Sequence, residues 1–294
     1  MTEKSSEQNT LIKKGKKKKH IASVANIFSY IFLTVFAILI ILPFLFALST
    51  SFTTRNGIYD LPFKWIPQPF TFDNYSEVFR RVDIVRSFLN TFMYIIPPVF
   101  IGMLSSAMAA FVFSKLKFPG HQVIFYLMLS TMLIPGIITL IPSYIMFTNV
   151  YKWLNTPLPL IIPGLFGGVG TMFFLVQFMR GLPNELNEAA TIDGADHAVI
   201  FFRIIFPLSI PALIPQIVLS FTGAYNDYMG PLLYVGTTKE LWTIQLSMAY
   251  LQSSYNSSYT LMMAGAMIAL IPTLIIFVFS QRFLVEGITI TGLK

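Results

Sequence analysis

The chain has no cysteine, which excludes disulfides, thiolate metal ligands and cysteine nucleophiles. Charge is also scarce. Only 11% of the 294 residues are charged, whereas 55% are hydrophobic and the mean hydropathy is +0.68. A chain with so few polar residues cannot form the polar surface of a water-soluble globular protein. The composition therefore predicts a membrane protein.

Motifs for nucleotide or metal chemistry are missing as well. The one Gly-Lys pair, Gly15-Lys16, lies in a basic tail and not in a phosphate-binding G-x-x-x-x-G-K-[ST] loop. His20, His121 and His197 are scattered and form no H-E-x-x-H pattern. We expect no ATP hydrolysis, no metal site and no cofactor bound by this chain. The predicted crossings carry no charge at their centres, so active transport would need energy from elsewhere.

Six stretches free of Asp, Glu, Lys and Arg are long enough to hold a membrane helix, which needs about 20 apolar residues. They are residues 21–54, 87–114, 118–151, 153–179, 204–226 and 241–281. The last is polar in its first half, so its crossing is placed at 259–281. The third contains Pro135-Gly136 and Pro142, and it could also be two short pieces. The prediction is an all-α membrane protein with six transmembrane helices in one permease domain, 21–294, with its core at 87–281.

Thirteen of the 20 Lys and Arg residues fall on the side of the membrane that holds both termini. By the positive-inside rule, both termini are cytoplasmic in a multi-pass protein of a bacterial cytoplasmic membrane. The basic tail, residues 1–20, is expected to be disordered. It more plausibly sets topology and contacts anionic lipid than binds nucleic acid.

The predicted cytoplasmic segment between the fourth and fifth crossings has the signals of a short helix. Asn184 is a favourable N-cap, Glu185 and Glu188 are acids in the first turns, and Gly194 is a left-handed stop.

A second short helix is expected over residues 195–206, ended by Pro207, which would also begin the fifth crossing. Two short helices joined at a glycine would make an elbow.

The spacing of Glu188-Ala189-Ala190, Gly194, Ile204 and Pro207 resembles the EAA loop of ABC importer permeases. The extended pattern over 183–195 is similar to the carbohydrate-uptake branch, related to the permeases of the maltose transporter. Further likeness comes from Asn226-Asp227-Tyr228 before Pro231-Leu232 and from residues 281–289. The fold implied is that of a type I ABC importer permease.

The resemblance implies that the coupling loop, residues 183–207, docks onto an ATP-binding subunit. Its coupling residues would be Glu185, Glu188, Ala189, Ala190, Asp193, Gly194 and Ala195. A C-terminal cytoplasmic tail, 282–294, would reach the same subunits through Arg282, Glu286 and Gly287. The implied partners are a second homologous permease, two ATP-binding subunits that hold ATP and Mg, and an extracytoplasmic solute-binding protein.

Polar and aromatic residues within the crossings are candidates for a substrate path, because amides and phenols suit sugar hydroxyls and rings. They are Asn90, Tyr94, Tyr144, Gln177, Gln216, Tyr225 and Asn226. Each could instead join neighbouring helices. The function implied is uptake of a carbohydrate, with an oligosaccharide favoured. Alternatives are a glycerophosphodiester, polyol or amino-sugar cargo, or an ion-coupled secondary carrier.

Overall fold

The computed structural model describes the backbone of residues 2–254 and 258–291, and the side chains of residues 26–254, 258–281 and 283. The described chain is mostly helical, and its longest connection, residues 52–72, contains only a short 3-10 helix. The helices are α1 Thr2–Ser51, α2 Asp73–Arg81, α3 Ile84–Lys115, α4 His121–Thr131, α5 Gly136–Ile145, α6 Leu158–Leu165, α7 Val169–Arg180, α8 Glu185–Ile192, α9 His197–Ile200, α10 Phe206–Leu208, α11 Ile210–Tyr225, α12 Met229–Val235, α13 Ile244–Ser254 and α14 Tyr259–Thr291.

Four helical segments are long and apolar enough to cross a membrane: Asn26–Ser51, Ile84–Lys115, Leu158–Arg180 and Tyr259–Gln281. Two further spans are bent pairs. One joins α4 to the α5 segment at 89°, and the other joins His197–Leu208 to α11 at 75°. The six predicted crossings therefore hold when each bent pair is counted as one span. The break in the third stretch lies just before Gly136, among the Pro and Gly residues singled out in the sequence.

The start of the fifth span differs from the prediction. The second helix of the loop was expected to stop at Pro207, but the helix passes through Pro207 and breaks at Ser209. The reason is that Pro207 follows a wide π turn, Phe201–Ile205, and occupies the first turn of α10, where proline is tolerated. Pro211 is the residue that cannot continue the preceding helix, so α11 begins beside it.

Both ends of the chain are more helical than the sequence predicts. The backbone of α1 is helical from Thr2, through the tail expected to be disordered, because that tail contains no proline and is rich in lysine, a good helix former. At the other end, α14 continues past residue 281 to Thr291. The boundary predicted there between a crossing and a separate tail is therefore not a break in the helix.

Helix α3 lies at the centre of the bundle and contributes to two clusters of buried side chains. One cluster joins α3 to α7 and the loop segment through residues such as Leu175, Met179 and Ile205. The other joins it to α2, α11, α13 and α14 through residues such as Tyr225 and Ile244. Helix α3 therefore packs on two sides, while a third side, which includes Leu89 and Phe100, is exposed.

Non-helical backbone interrupts the fourth span between α6 and α7, at a depth where water cannot satisfy it. Two serines of α3 supply the partners. Ser105 donates its hydroxyl to the Leu165 carbonyl at 2.8 Å, and the amide of Gly168 donates to Ser106 Oγ at 3.1 Å. Between them, Gly167 has a positive φ of 81°. The break is thus stabilised by a neighbouring helix.

Small residues let α3 and α6 approach closely beside this break. A Cβ atom on Gly102 would collide with the carbonyl oxygen of Gly164. A Cβ atom on Gly164 would lie 2.6 Å from Pro98 Cβ. Close backbone approach at glycine is a common basis of helix packing in membranes.

We predict that Gly102→Ala lowers the free energy of unfolding by about 1–3 kcal/mol, because the added methyl group forces α3 and α6 apart. Gly223→Ala is the matched control, since a Cβ atom there, in the last turn of α11, meets nothing within 4 Å. Unfolding of both purified variants in detergent, followed by tryptophan fluorescence, measures the difference. Equal stability of the two variants would contradict the close contact.

Candidate functional site

The start of α8 is held by a lysine from α3. Lys115 donates its ammonium to the Leu182 carbonyl at 2.7 Å and to Asn184 Oδ1 at 2.9 Å. Asn184 occupies the predicted N-cap position, but its side chain makes no capping hydrogen bond. The cap prediction is wrong in its chemistry, because the amide oxygen is already used by the lysine. The first turn of the coupling loop is therefore fixed to the end of a membrane span.

The end of α8 agrees with the sequence. Gly194 has a φ of +80°. Its amide donates to the Thr191 carbonyl at 3.0 Å, and the amide of Ala195 donates to the Ala190 carbonyl at 2.9 Å. These two bonds form a Schellman motif. A Cβ atom on Gly194 would meet nothing within 4 Å, so the need for glycine comes from the left-handed backbone and not from crowding.

The second part of the elbow has a cap that the sequence reasoning missed. Asp196 Oδ1 accepts a hydrogen bond from the Val199 amide at 2.7 Å, so α9 begins at His197 and not at Ala195. The sequence signal was present, since an aspartate three residues before a helical amide is a common N-cap.

The predicted coupling residues divide between two sides of the elbow. Ala190 and Ala195 pack against the cluster that contains Leu175 and Met179. The residues Glu185, Glu188, Ala189, Asp193 and Gly194 are exposed. The loop thus has one side attached to the membrane bundle and another side free to bind a partner.

Ile192 belongs to the exposed side and was not among the predicted site residues. It is 86% exposed, which is unusual for a large apolar side chain. Ile192 lies one helical turn after Ala189 and two turns after Glu185, so these residues share a helix face. The combination of two carboxylates, a small residue and an apolar residue is suited to a protein contact. An isolated isoleucine in a polar helix was the signal that could have revealed it.

Two of the predicted path residues serve the structure on the opposite side of the bundle. The Asn90 amide donates to the carbonyls of Glu240 at 2.8 Å and Trp242 at 3.0 Å. The Tyr94 hydroxyl donates to the Leu241 carbonyl at 3.0 Å. Both side chains are buried, and these bonds occupy their polar atoms.

Two neighbours on the same face of α3 extend this contact. Thr91 Oγ1 accepts from the Ile244 amide at 2.9 Å, and the hydroxyls of Ser87 and Ser247 are 2.8 Å apart. Residues 87, 90, 91 and 94 follow a helical period, which is the sequence signal for one shared face. This polar face of α3 holds residues 239–247.

Of the other predicted path residues, only Tyr225 is found beside these, since it lines a small cavity of about 60 Å³ together with Tyr94. Tyr225 is buried and donates its hydroxyl to the Ala269 carbonyl at 2.6 Å. Tyr144 stacks on Tyr234, with ring centroids 6.0 Å apart. Gln177 is exposed on α7, and Gln216 is half-buried in α11.

Asn226 lies beside a cavity of about 700 Å³, because its Oδ1 accepts from the cavity residue Gln245 at 3.4 Å. The cavity lies between α13 and α14 and is lined partly by Tyr228, Gln252 and Ser253. Its amides and hydroxyls are mixed with methionine side chains, a pattern suited to a small polar ligand. The polar run that begins at Gln252 was visible in the sequence but was not assigned to a site.

Nothing tests the interpretation of the C-terminal tail. The side chains of Arg282, Glu286 and Gly287 lie outside the described residues. Their predicted contact with ATP-binding subunits stays a prediction.

Known proteins resemble the chain over most of its length. Residues 76–290 match the family described as binding-protein-dependent transport system inner membrane component. The diacetylchitobiose uptake system permease protein NgcG of Streptomyces coelicolor is 30% identical over 86% of this chain and 84% of its own. The arabinooligosaccharides transport system permease protein AraQ of Halalkalibacterium halodurans is also 30% identical, over 90% and 92% respectively.

A solved structure confirms the fold. The crystal structure of a bacterial ABC transporter for import of the acidic polysaccharide alginate has a chain that matches with a TM-score of 0.75 at 20% identity, covering 88% of this chain and 96% of that chain. The predicted all-α type I ABC importer permease fold is therefore correct. The family is a multi-pass inner-membrane component of a system with a binding protein, and its ATPase is a separate subunit.

The alternative of an ion-coupled carrier is thereby excluded, and the chain is a transporter subunit and not an enzyme. Because the family match covers residues 76–290, including α3, the coupling loop and α14, the chain belongs to the inner membrane components of binding-protein-dependent transport systems.

Proposed function

We propose that the chain is a permease subunit of an ABC importer for an oligosaccharide, delivered by an extracytoplasmic binding protein. The family match carries the importer assignment, and the names of the two curated relatives support an oligosaccharide cargo. An amino sugar, a polyol or a glycerophosphodiester is the rival cargo. The large cavity beside Asn226 offers amide and hydroxyl groups that suit sugar hydroxyls.

The assembly proposed has four membrane-associated subunits: this chain, a second homologous permease and two ATP-binding subunits that hold ATP and Mg. Both termini are cytoplasmic in this arrangement. The charge bias supports it, because Lys115, Lys117 and Arg180 all lie at the ends of spans on the side of the coupling loop.

The coupling loop transmits the closure of the ATP-binding subunits as movement of a rigid body. The two ends of its helix α8 are fixed by the Schellman motif at Gly194 and by the two bonds from Lys115. Since Lys115 is the last residue of α3, displacement of the loop displaces α3. The polar face of α3 then carries the movement to residues 239–247 on the opposite side.

Glu188 is the residue of the exposed side that orients the partner. Its carboxylate is accessible, while Ala190 on the other side packs against the bundle. A charge-assisted bond to an arginine of the ATP-binding subunit would fix the docking angle. Ala189 and Ile192 would provide the apolar part of the same contact.

We expect uptake to require nucleotide on the cytoplasmic face and to persist when ion gradients are collapsed. The measurement is accumulation of labelled arabino-oligosaccharide, diacetylchitobiose, a polyol and a glycerophosphodiester by proteoliposomes that contain the complete importer and its binding protein. Uptake that disappears with the ion gradient would contradict the ATP-driven mechanism. Uptake of the polyol or diester alone would contradict the oligosaccharide assignment.

Glu188→Lys should reduce uptake by about tenfold or more, because it places a cation against the proposed arginine of the partner. Membrane insertion should be unchanged, since this side chain is exposed. The matched control is Glu240→Lys, the same charge reversal at an exposed position on the opposite side of the bundle. Normal uptake by both variants would contradict the docking role of Glu188.

Lys115→Met should uncouple ATP hydrolysis from uptake. The variant removes two charge-assisted hydrogen bonds, so we expect about tenfold less uptake per ATP hydrolysed. Asn184→Asp keeps an acceptor for the lysine and should remain coupled. The ratio of transported solute to released phosphate in proteoliposomes checks both variants, and an unchanged ratio for Lys115→Met would exclude the proposed connection.

A further inference from the structure

A second cavity lies behind the coupling loop, between the inner side of α8 and the turn from α3 to α4. Its volume is about 550 Å³, and Lys115, Lys117, Arg180, Asn187 and Glu188 are among the residues that line it. Of the residues proposed to contact the ATP-binding subunit, Glu188 borders this cavity, whereas Ala189 and Ile192 are not among its lining residues.

The cavity lies at the level of the membrane surface. Two spans end beside it, at Lys115 and at Arg180, and the bent span begins beside it at His121. Three span ends on one side of the bundle define the depth at which phospholipid headgroups lie. Phe113 and Phe118 form the apolar part of its wall.

Positive charge dominates the lining. Lys115, Lys117 and Arg180 face a single carboxylate, that of Glu188. Within the part of the chain whose side chains are described, neither Lys117 nor Arg180 forms an ion pair with an acidic residue. The Arg180 guanidinium lies 5.4 Å from the centre of the Phe125 ring, which keeps it near the bundle. Such a lining favours an anion.

One lining residue also lacks a protein partner. The buried Oδ1 atom of Asn187 accepts no hydrogen bond from any described residue. Buried polar atoms are nearly always hydrogen-bonded. An acceptor without a protein donor therefore indicates that a bound ligand supplies the donor. A ligand that combines an anionic phosphate with a donor hydroxyl and an apolar body fits all of these features.

We propose that the cavity binds the headgroup of an anionic phospholipid of the phosphatidylglycerol type. Basic pockets between transmembrane helices bind anionic headgroups in this way. Lys117 and Arg180 bind the phosphate, and the acyl chains leave along the apolar wall. The lipid then bridges the α3–α4 turn and the end of α7 behind the coupling loop. The inference rests on the placement of the spans and is independent of the cargo.

The test measures lipid retained by the complete importer in nanodiscs of phosphatidylcholine that contain a small fraction of labelled phosphatidylglycerol. After extraction, native mass spectrometry counts the labelled lipid bound to the complex. Lys117→Gln/Arg180→Gln should retain about tenfold less labelled lipid than the unmodified complex. Arg86→Gln/Lys152→Gln is the matched control, because it removes the same charge on the opposite side and should retain the lipid.

Equal retention by the two double variants would overturn the proposal. Binding of labelled inorganic phosphate without retention of lipid would also overturn it, since the site would then select a free anion. If the double variant does not assemble, Lys117→Gln alone replaces it, because this exposed side chain can be changed without disturbing the bundle. Because the readout is lipid and not transport, a negative result here leaves the proposed importer function untouched.

Discussion

Backbone that departs from the helix inside a membrane protein needs hydrogen-bond partners, and α3 provides them at three levels. Near its start, its polar face binds the backbone of residues 239–247. In its middle, Ser105 and Ser106 bind the break between α6 and α7. At its end, Lys115 binds the coupling loop. Three irregular segments of the described chain are thus anchored to α3.

In the proposed mechanism, this arrangement would carry movement across the bundle without a charged residue in the membrane. The loop side and the opposite side are joined by a helix of 32 residues, Ile84–Lys115, with polar contacts along it and apolar packing between them. Coupling of this kind requires a stiff element with partners at both ends. The glycine contact of α3 with α6 lies in the middle of this helix, close to Pro97 and Pro98.

Much of the fold followed from the sequence because bilayer thickness and the scarcity of charge leave few arrangements. The number of crossings and the left-handed Gly194 were predictable in this way. The outcome of competition between alternative contacts could not be predicted from the sequence. Proline usually ends a helix, but the π turn before Pro207 lets the helix continue through it. The helix breaks at Ser209 instead. Asn184 is a good cap by type, but Lys115, 69 residues away in sequence, takes its side chain.

The candidate site was predicted unevenly for a similar reason. The coupling loop is identified from a short contiguous motif, so its place in the chain could be predicted, while the role of its residues stays a prediction. The choice of path residues relied on polarity alone, and polarity does not distinguish a side chain that faces a ligand from one that faces backbone. Asn90 and Tyr94 are of the second kind. Their spacing along one face of α3 was the better guide, because a row of donors at helical intervals is typical of a contact with another segment.

The bonds from Asn90, Thr91 and Tyr94 end on main-chain atoms of residues 240–244. Main-chain atoms are the same whatever amino acid carries them. The exposed side chains of residues 239–247, such as those of Lys239 and Glu240, can therefore change by mutation without loss of these bonds, whereas Ile244 is buried in the core. Divergence of the exposed side chains would need no compensating change in α3.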